Sequence, residues 1–241
     1  MPPITFKASQ INTLRKQAKA EMSDLTPEAS SADQLIESFE KKEGVNYLYV
    51  TYHPSEGLLM TTRKDQQKAL KNIGAEESDN ELNIKLQDLY DANNVEGEER
   101  LLLFFLYASD EEMRLLRMHP EFCSCDTTFG TNDEKKELFT LAFLDGNNKA
   151  FNGGRAYIPN AQSWTFNTIF KHCLPIFWGP LISERLKLMM TDGCVQEYAA
   201  FVNNCGENQS FPNAVHGLCY FHLAVQGVTK HVVPYIPHGG K

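Results

Sequence analysis

The stretch from Glu137 to Ile158 most constrains what this chain can fold into. Phe139, Leu141 and Phe143 alternate along Glu137–Leu144, and Asp145-Gly146 then supplies the residue types of a tight hairpin turn. A further strand is expected at about Lys149–Ile158. Another precedes the hairpin, where Pro120 leads into an apolar approach to Asp126. Downstream, Asn160 is expected to cap a helix with Phe166, Phe170 and Cys173 on one face, stopped by Pro175. After a loop containing Trp178-Gly-Pro180, a strand is expected over Leu186–Thr191. A helix over Cys194–Asn204 follows, turning Val195, Tyr198, Ala199 and Val202 one way, and a last strand covers about Ala214–Leu218. Three strands, helix, strand, helix, strand is the order of a mixed α/β (α+β) sheet. It begins as a meander, continues by parallel crossovers and carries helices on its faces.

Upstream the texture differs. Residues 1–43 read as helical, with Ile11, Leu14, Ala18 and Met22 on a narrow apolar stripe. Tyr47–Tyr52 and Leu58–Thr62 read as strands around a turn at His53–Gly57. Helical patches follow at about 64–73 and 80–92, the second led by a capping-box spacing at Ser78–Glu81 and backed by Leu82, Leu86 and Leu89. Asp91–Arg100 reads as a linker. The expected division is a helical and hairpin N-terminal region at 1–99, the main domain at 100–230 and a tail at 231–241. Leu101–Tyr107 is an apolar run suited to a buried strand. Ser109–Glu112 is a second capping box, opening a helix with Met113, Leu116 and Met118.

The net charge of −8 argues against a chain that grips nucleic acid by bulk electrostatics, so any DNA contact needs a local basic face or further basic segments. No run of eighteen apolar residues suggests a membrane span, and MPPITFKASQ lacks the apolar core of a secretory signal. The six cysteines form no small-scaffold framework, which fits reduced thiols in the nucleus or cytoplasm rather than secretion.

Two acids stand at strand ends. Asp126 lies within CSCDTTFGTN, residues 123–132, and Asp192 closes Leu186-Lys-Leu-Met-Met-Thr-Asp192-Gly. Taken singly, Asp126 reads as an Asx-turn residue and Asp192 as a helix N-cap. Together they read as a pair at the ends of apolar strands, where ligands gather in such sheets. Period two places Asp192 on the face of Leu186, Leu188 and Met190, so it is expected to extend a buried row. Paired carboxylates repel unless a cation lies between them, and Mg²⁺ or Mn²⁺ suits oxygen ligands completed by waters. Two such ions can serve phosphodiester chemistry, which normally calls for a third acid.

Cys219-Tyr-Phe-His222 is a C-x2-H pair, open to two readings. One is a strand end with a buried Cys and a satisfied His; the other is half a zinc site, with Cys123 and Cys125 as the other half. The phosphate-loop, nucleophile-elbow and zinc-protease motifs are absent from the sequence. Gly153-Gly154 reads as a turn pair, and Trp164 and Trp178 as core residues.

Read in series, Cys125–Asn132, Met190-Thr-Asp192-Gly-Cys with its following helix, and Cys219-Tyr-Phe-His222 resemble the catalytic core of Mutator-like (MULE) transposases over about residues 100–228. The resemblance implies a ribonuclease H-like fold and a DDE transposase that cuts and joins DNA with two divalent ions. It makes Asp126 and Asp192 the first and second metal-binding acids, and Cys219 and His222 the C-x2-H pair near them. It also implies DNA, at transposon ends, as partner, with homo-oligomerisation and a nuclear location. The family's third acid, a Glu, lies well beyond the C-x2-H pair, yet residues 223–241 contain no Asp or Glu. The expectation is therefore a truncated or partial copy. The alternatives are a domesticated DNA- or protein-binding module without catalysis, or a zinc-stabilised domain.

Overall fold

The computed structural model describes residues 41–63, 80–93, 100–128 and 137–219. The helices expected at 1–40 and 64–73, the Ser78 cap, most of the 91–100 linker, the Thr-Asn end of the Asp126 motif, His222 and the tail lie outside them.

Eight strands form one sheet: β1 (Val45–His53), β2 (Gly57–Thr62), β3 (Leu101–Ser109), β4 (Phe122–Thr128), β5 (Glu137–Leu144), β6 (Ala150–Ile158), β7 (Leu188–Thr191) and β8 (Val215–Leu218). Their spatial order is β2-β1-β3-β6-β5-β4-β7-β8. The hairpin at Asp145-Gly146 sets β5 antiparallel to β6, and β4 is antiparallel to β5. β4, β7 and β8 are mutually parallel. The upstream hairpin is no appendage. β1 pairs along β3, and β3 joins β6, so the strands of both expected regions share one sheet.

Helices occur where apolar stripes need cover: α1 (Asn80–Ala92), α2 (Asp110–Met118), α3 (Ser163–Thr168), α4 (Leu174–Trp178), α5 (Pro180–Arg185) and α6 (Val195–Val202). α1 turns Leu86 and Tyr90 into the core. α2 starts on the expected capping box: Ser109 accepts from the Glu112 amide, and Glu112 accepts from the Ser109 amide at 2.8 Å. Met113 and Leu116 are buried beneath it, whereas Met118 is exposed.

Pro175 does not stop its helix. A π turn at Ile169–Cys173 widens the backbone, and the helix resumes through Trp178. Proline has no amide to give Lys171, and the hydroxyl of Ser210 donates to that carbonyl instead, at 3.2 Å. Asn160 does not cap through the first helical turn; Gln162 holds the cap position, and Asn160 accepts from its amide at 3.2 Å and from the Thr165 hydroxyl at 2.8 Å. Gly153-Gly154 lies inside β6 rather than in a turn. A Cβ at Gly153 would sit 2.4 Å from the Phe143 ring, so the glycine allows close approach of ring and strand.

The main core gathers Phe139, Phe143, Phe166, Phe170, Trp164, Trp178, Phe201 and Phe211 between the sheet and the helices. Val45, Tyr47, Phe105, Tyr107, Leu138 and Tyr157, a second buried cluster, occupy the opposite sheet face. Among the described residues no helix is long and apolar enough to cross a membrane.

Candidate functional site

β4 and β7 are neighbours within the sheet. Their register pairs Phe122 with Leu188, Cys123 with Met189 and Ser124 with Met190. Continued two residues along both chains, it sets Asp126 level with Asp192 at the C-terminal ends of parallel strands. Alternation then separates the faces. Cys123 and Cys125 belong to the main core. Asp126 shares the other face with Thr140, Arg155 and Tyr107, its successive cross-strand partners. Both Asp126 and Asp192 are half-buried.

The row expected to bury Asp192 is corrected. Met189 and Thr191 are the buried residues of β7, while Leu188 and Met190 on the other face are half-exposed. The cause is the helices, which cover the Met189 face. Asp192 follows the strand and accepts the Cys194 amide at 2.6 Å through Oδ1, closing the turn into α6. Thr191 hands its hydroxyl proton to the Asp192 carbonyl at 2.9 Å and lies 2.8 Å from Nε2 of His216. Burial holds the His216 imidazole below its ordinary range.

α6 is rotated from its expected setting. Val195, Tyr198 and Val202 are exposed, and Glu197, Ala200 and Phe201 are buried. Phe201 decides the rotation: it packs against Phe170 and Phe211, with ring centroids 5.3 and 5.6 Å away, and one turn earlier on that stripe stands Glu197. Sequence reasoning missed this acid. Its only signal was the i, i+4 spacing to Phe201, outweighed by a larger count of apolar residues on the other stripe.

The Cys125 thiol donates to Glu197 Oε1 at 2.8 Å and lies 3.5 Å from the Met190 carbonyl, so one side chain touches α6 and β7 from β4. Glu197 Oε2 is buried with no hydrogen-bond partner. Its carboxyl is pushed up to about 8, first by burial and further by the charges of Asp192 and Asp126, against the opposing Cys125 hydrogen bond. Burial, reinforced by Glu197, pushes the Cys123 and Cys125 thiols well above their usual range.

Cys219 is buried just past β8, where its amide donates to the Thr191 carbonyl at 2.8 Å. Among the described residues no three His, Cys, Asp or Glu side chains group closely enough to hold an ion. Cys123, Cys125 and Cys219 therefore do not come together as a zinc cluster, and the fourth ligand considered, His222, lies outside the described residues.

The order β6-β5-β4-β7-β8, antiparallel in its first part and parallel from β4 onward, with helices over it, is consistent with a ribonuclease H-like α+β fold. Residues 122–226 match the family model of the MULE transposase domain, so the resemblance carried by the three motifs is borne out over that segment. The match opens on the first residue of β4 and spans Asp126, Asp192, Cys219 and His222. No curated protein matches the chain. The match over this segment suggests a transposase-related function and, with it, interaction with DNA in general.

Proposed function

We propose that the domain is a DDE-type nuclease core in which Asp126 and Asp192 hold a divalent cation against a DNA phosphodiester. The observation that carries this reading is the β4–β7 register, which, continued two residues past its last pair, sets two acids from distant parts of the chain level at adjacent strand ends. The donor set fits Mg²⁺ or Mn²⁺, hard ions that take carboxylate oxygens and complete their coordination with waters or phosphate oxygens, and both acids are half-buried rather than sealed in the core. When bound, such ions activate a water and stabilise the leaving 3′-oxygen.

The chain's own residues fix the geometry. β4 holds Asp126 in a rigid ladder, and the Cys194 amide holds Asp192 in its turn. The C-terminal end of this sheet is also where the α6 N-terminus lies, favouring negative charge beside the acids. The partner is DNA, at transposon ends, and the nucleus is the compartment in which that substrate is met.

Titration of the full chain with Mn²⁺ tests the site. Asp126→Asn and Asp192→Asn should each weaken binding at least about tenfold, and unchanged affinity in both would sink the paired-acid reading. A second reading draws on the absence of a three-ligand cluster among the described residues. It is a transposase-derived module that binds DNA without cleaving it. DNA affinity that falls with salt but is indifferent to Mg²⁺, with no nicking under Mn²⁺, would favour it.

A further inference from the structure

We propose that Glu197 is a positioning residue for the acid pair, setting the separation of Asp126 and Asp192 through its hydrogen bond with Cys125; this rests on the metal-site reading above. The two acids sit on separate pieces of chain. Asp126 is one residue past Cys125 on β4, and Asp192 opens the turn into α6, whose first turn carries Glu197. The β4–β7 pairing ends at Ser124–Met190, just short of the acids. Beyond it, the Cys125 thiol links the two pieces, donating to Glu197 Oε1 at 2.8 Å with the Met190 carbonyl 3.5 Å from the same sulfur.

The link lies on the helix-covered face, opposite Asp126, so Glu197 acts from beneath the sheet rather than as a ligand. Apolar packing alone would be met by a leucine at this position. A fully buried carboxyl group with one oxygen on the thiol and the other without a partner is an expensive choice for packing. That expense is what a positioning role explains. With the rotation of α6 set by Phe201, the hydrogen bond fixes its distance from β4, which a leucine contact leaves loose.

The test is Mn²⁺ titration of the full chain, read by calorimetry, with thermal unfolding to verify the fold. Glu197→Leu and Cys125→Ala should each weaken Mn²⁺ binding about tenfold. Glu197→Gln, which keeps an acceptor at Oε1, should stay within about threefold of the parent. If Asp126→Asn abolishes binding while Glu197→Leu and Cys125→Ala bind like the parent, the positioning role is overturned and the metal reading stands. If Glu197→Gln binds as weakly as Glu197→Leu, the hydrogen-bond basis is overturned. If neither Asp126→Asn nor Asp192→Asn changes Mn²⁺ affinity, the metal reading fails and the positioning role goes with it. Should Glu197→Leu not fold, Cys125→Ala, which removes only a thiol, decides the same question.

Discussion

Replacing Glu197 by Gln should remove part of the pH dependence of this domain's stability. In the folded protein the Glu197 carboxyl is pushed up to about 8, chiefly by burial. In the unfolded chain a glutamate ionises at about 4.3. Between those values the folded state holds a proton that the unfolded state has released. Stability therefore falls as pH rises, being fully present below the unfolded value and lost as pH climbs through the folded one. At about 1.4 kcal/mol per unit over roughly 3.7 units, the full swing approaches 5 kcal/mol. Relaxation around a buried charge trims that figure, and at least about 2 kcal/mol should survive.

Glutamine does not titrate, and its Oε1 can still accept from Cys125. Its amide nitrogen falls where Oε2 has no partner, a penalty of about 1–3 kcal/mol that is independent of pH. The quantity to read is thus the difference between variant and parent in urea unfolding, followed from pH 4.5 to pH 8. That difference should move in favour of Gln by at least about 2 kcal/mol, while His216, common to both proteins, cancels. A difference flat to within about 0.5 kcal/mol would refute the claim that Glu197 is buried and protonated.

Three further substitutions probe the frame that carries the candidate site. Gly153→Ala places a methyl 2.4 Å from the Phe143 ring and 3.3 Å from Leu116, so it should lower stability by about 1–3 kcal/mol in urea unfolding. Glu112→Ala removes the carboxylate that accepts from two Arg155 nitrogens, at 2.8 and 3.2 Å, inside the sheet, and should cost about 3–5 kcal/mol. Ser109→Ala loses the helix cap and the hydroxyl's 3.0 Å bond to the Glu112 carboxylate but leaves the Arg155 pair, and should cost about 1–2 kcal/mol, so the excess in Glu112→Ala reads the buried pair.

Much of the frame was legible because it is written locally. Alternation at Phe139, Leu141 and Phe143, the Asp145-Gly146 turn and the Ser109–Glu112 box each act over a few residues, and each appears where it was expected. What escaped was set by partners far away in sequence. Pro175 reads as a stop unless Ser210 is known to serve the carbonyl it abandons. Gly153-Gly154 reads as a turn unless Phe143 is known to lie against it. The burial of β7 was assigned to the wrong face because helix placement, not strand period, decides which side is covered.

The same distinction bears on the site itself. Asp126 and Asp192 could be singled out from sequence because each ends an apolar run, a local mark. Glu197 could not, since a glutamate inside a helix with apolar neighbours on both stripes is ordinarily placed in solvent. Phe201 outweighs that preference: a fully buried aromatic side chain is worth about 1.5–3 kcal/mol, and the rotation that buries it carries Glu197 inward with it. The penalty on the acid is lessened by remaining protonated and by the thiol of Cys125, itself one residue from Asp126. The helix that follows Asp192 is thereby tied to the strand that bears Asp126. The residue with the weakest sequence signal is thus the one that links the segments carrying the two best-marked acids.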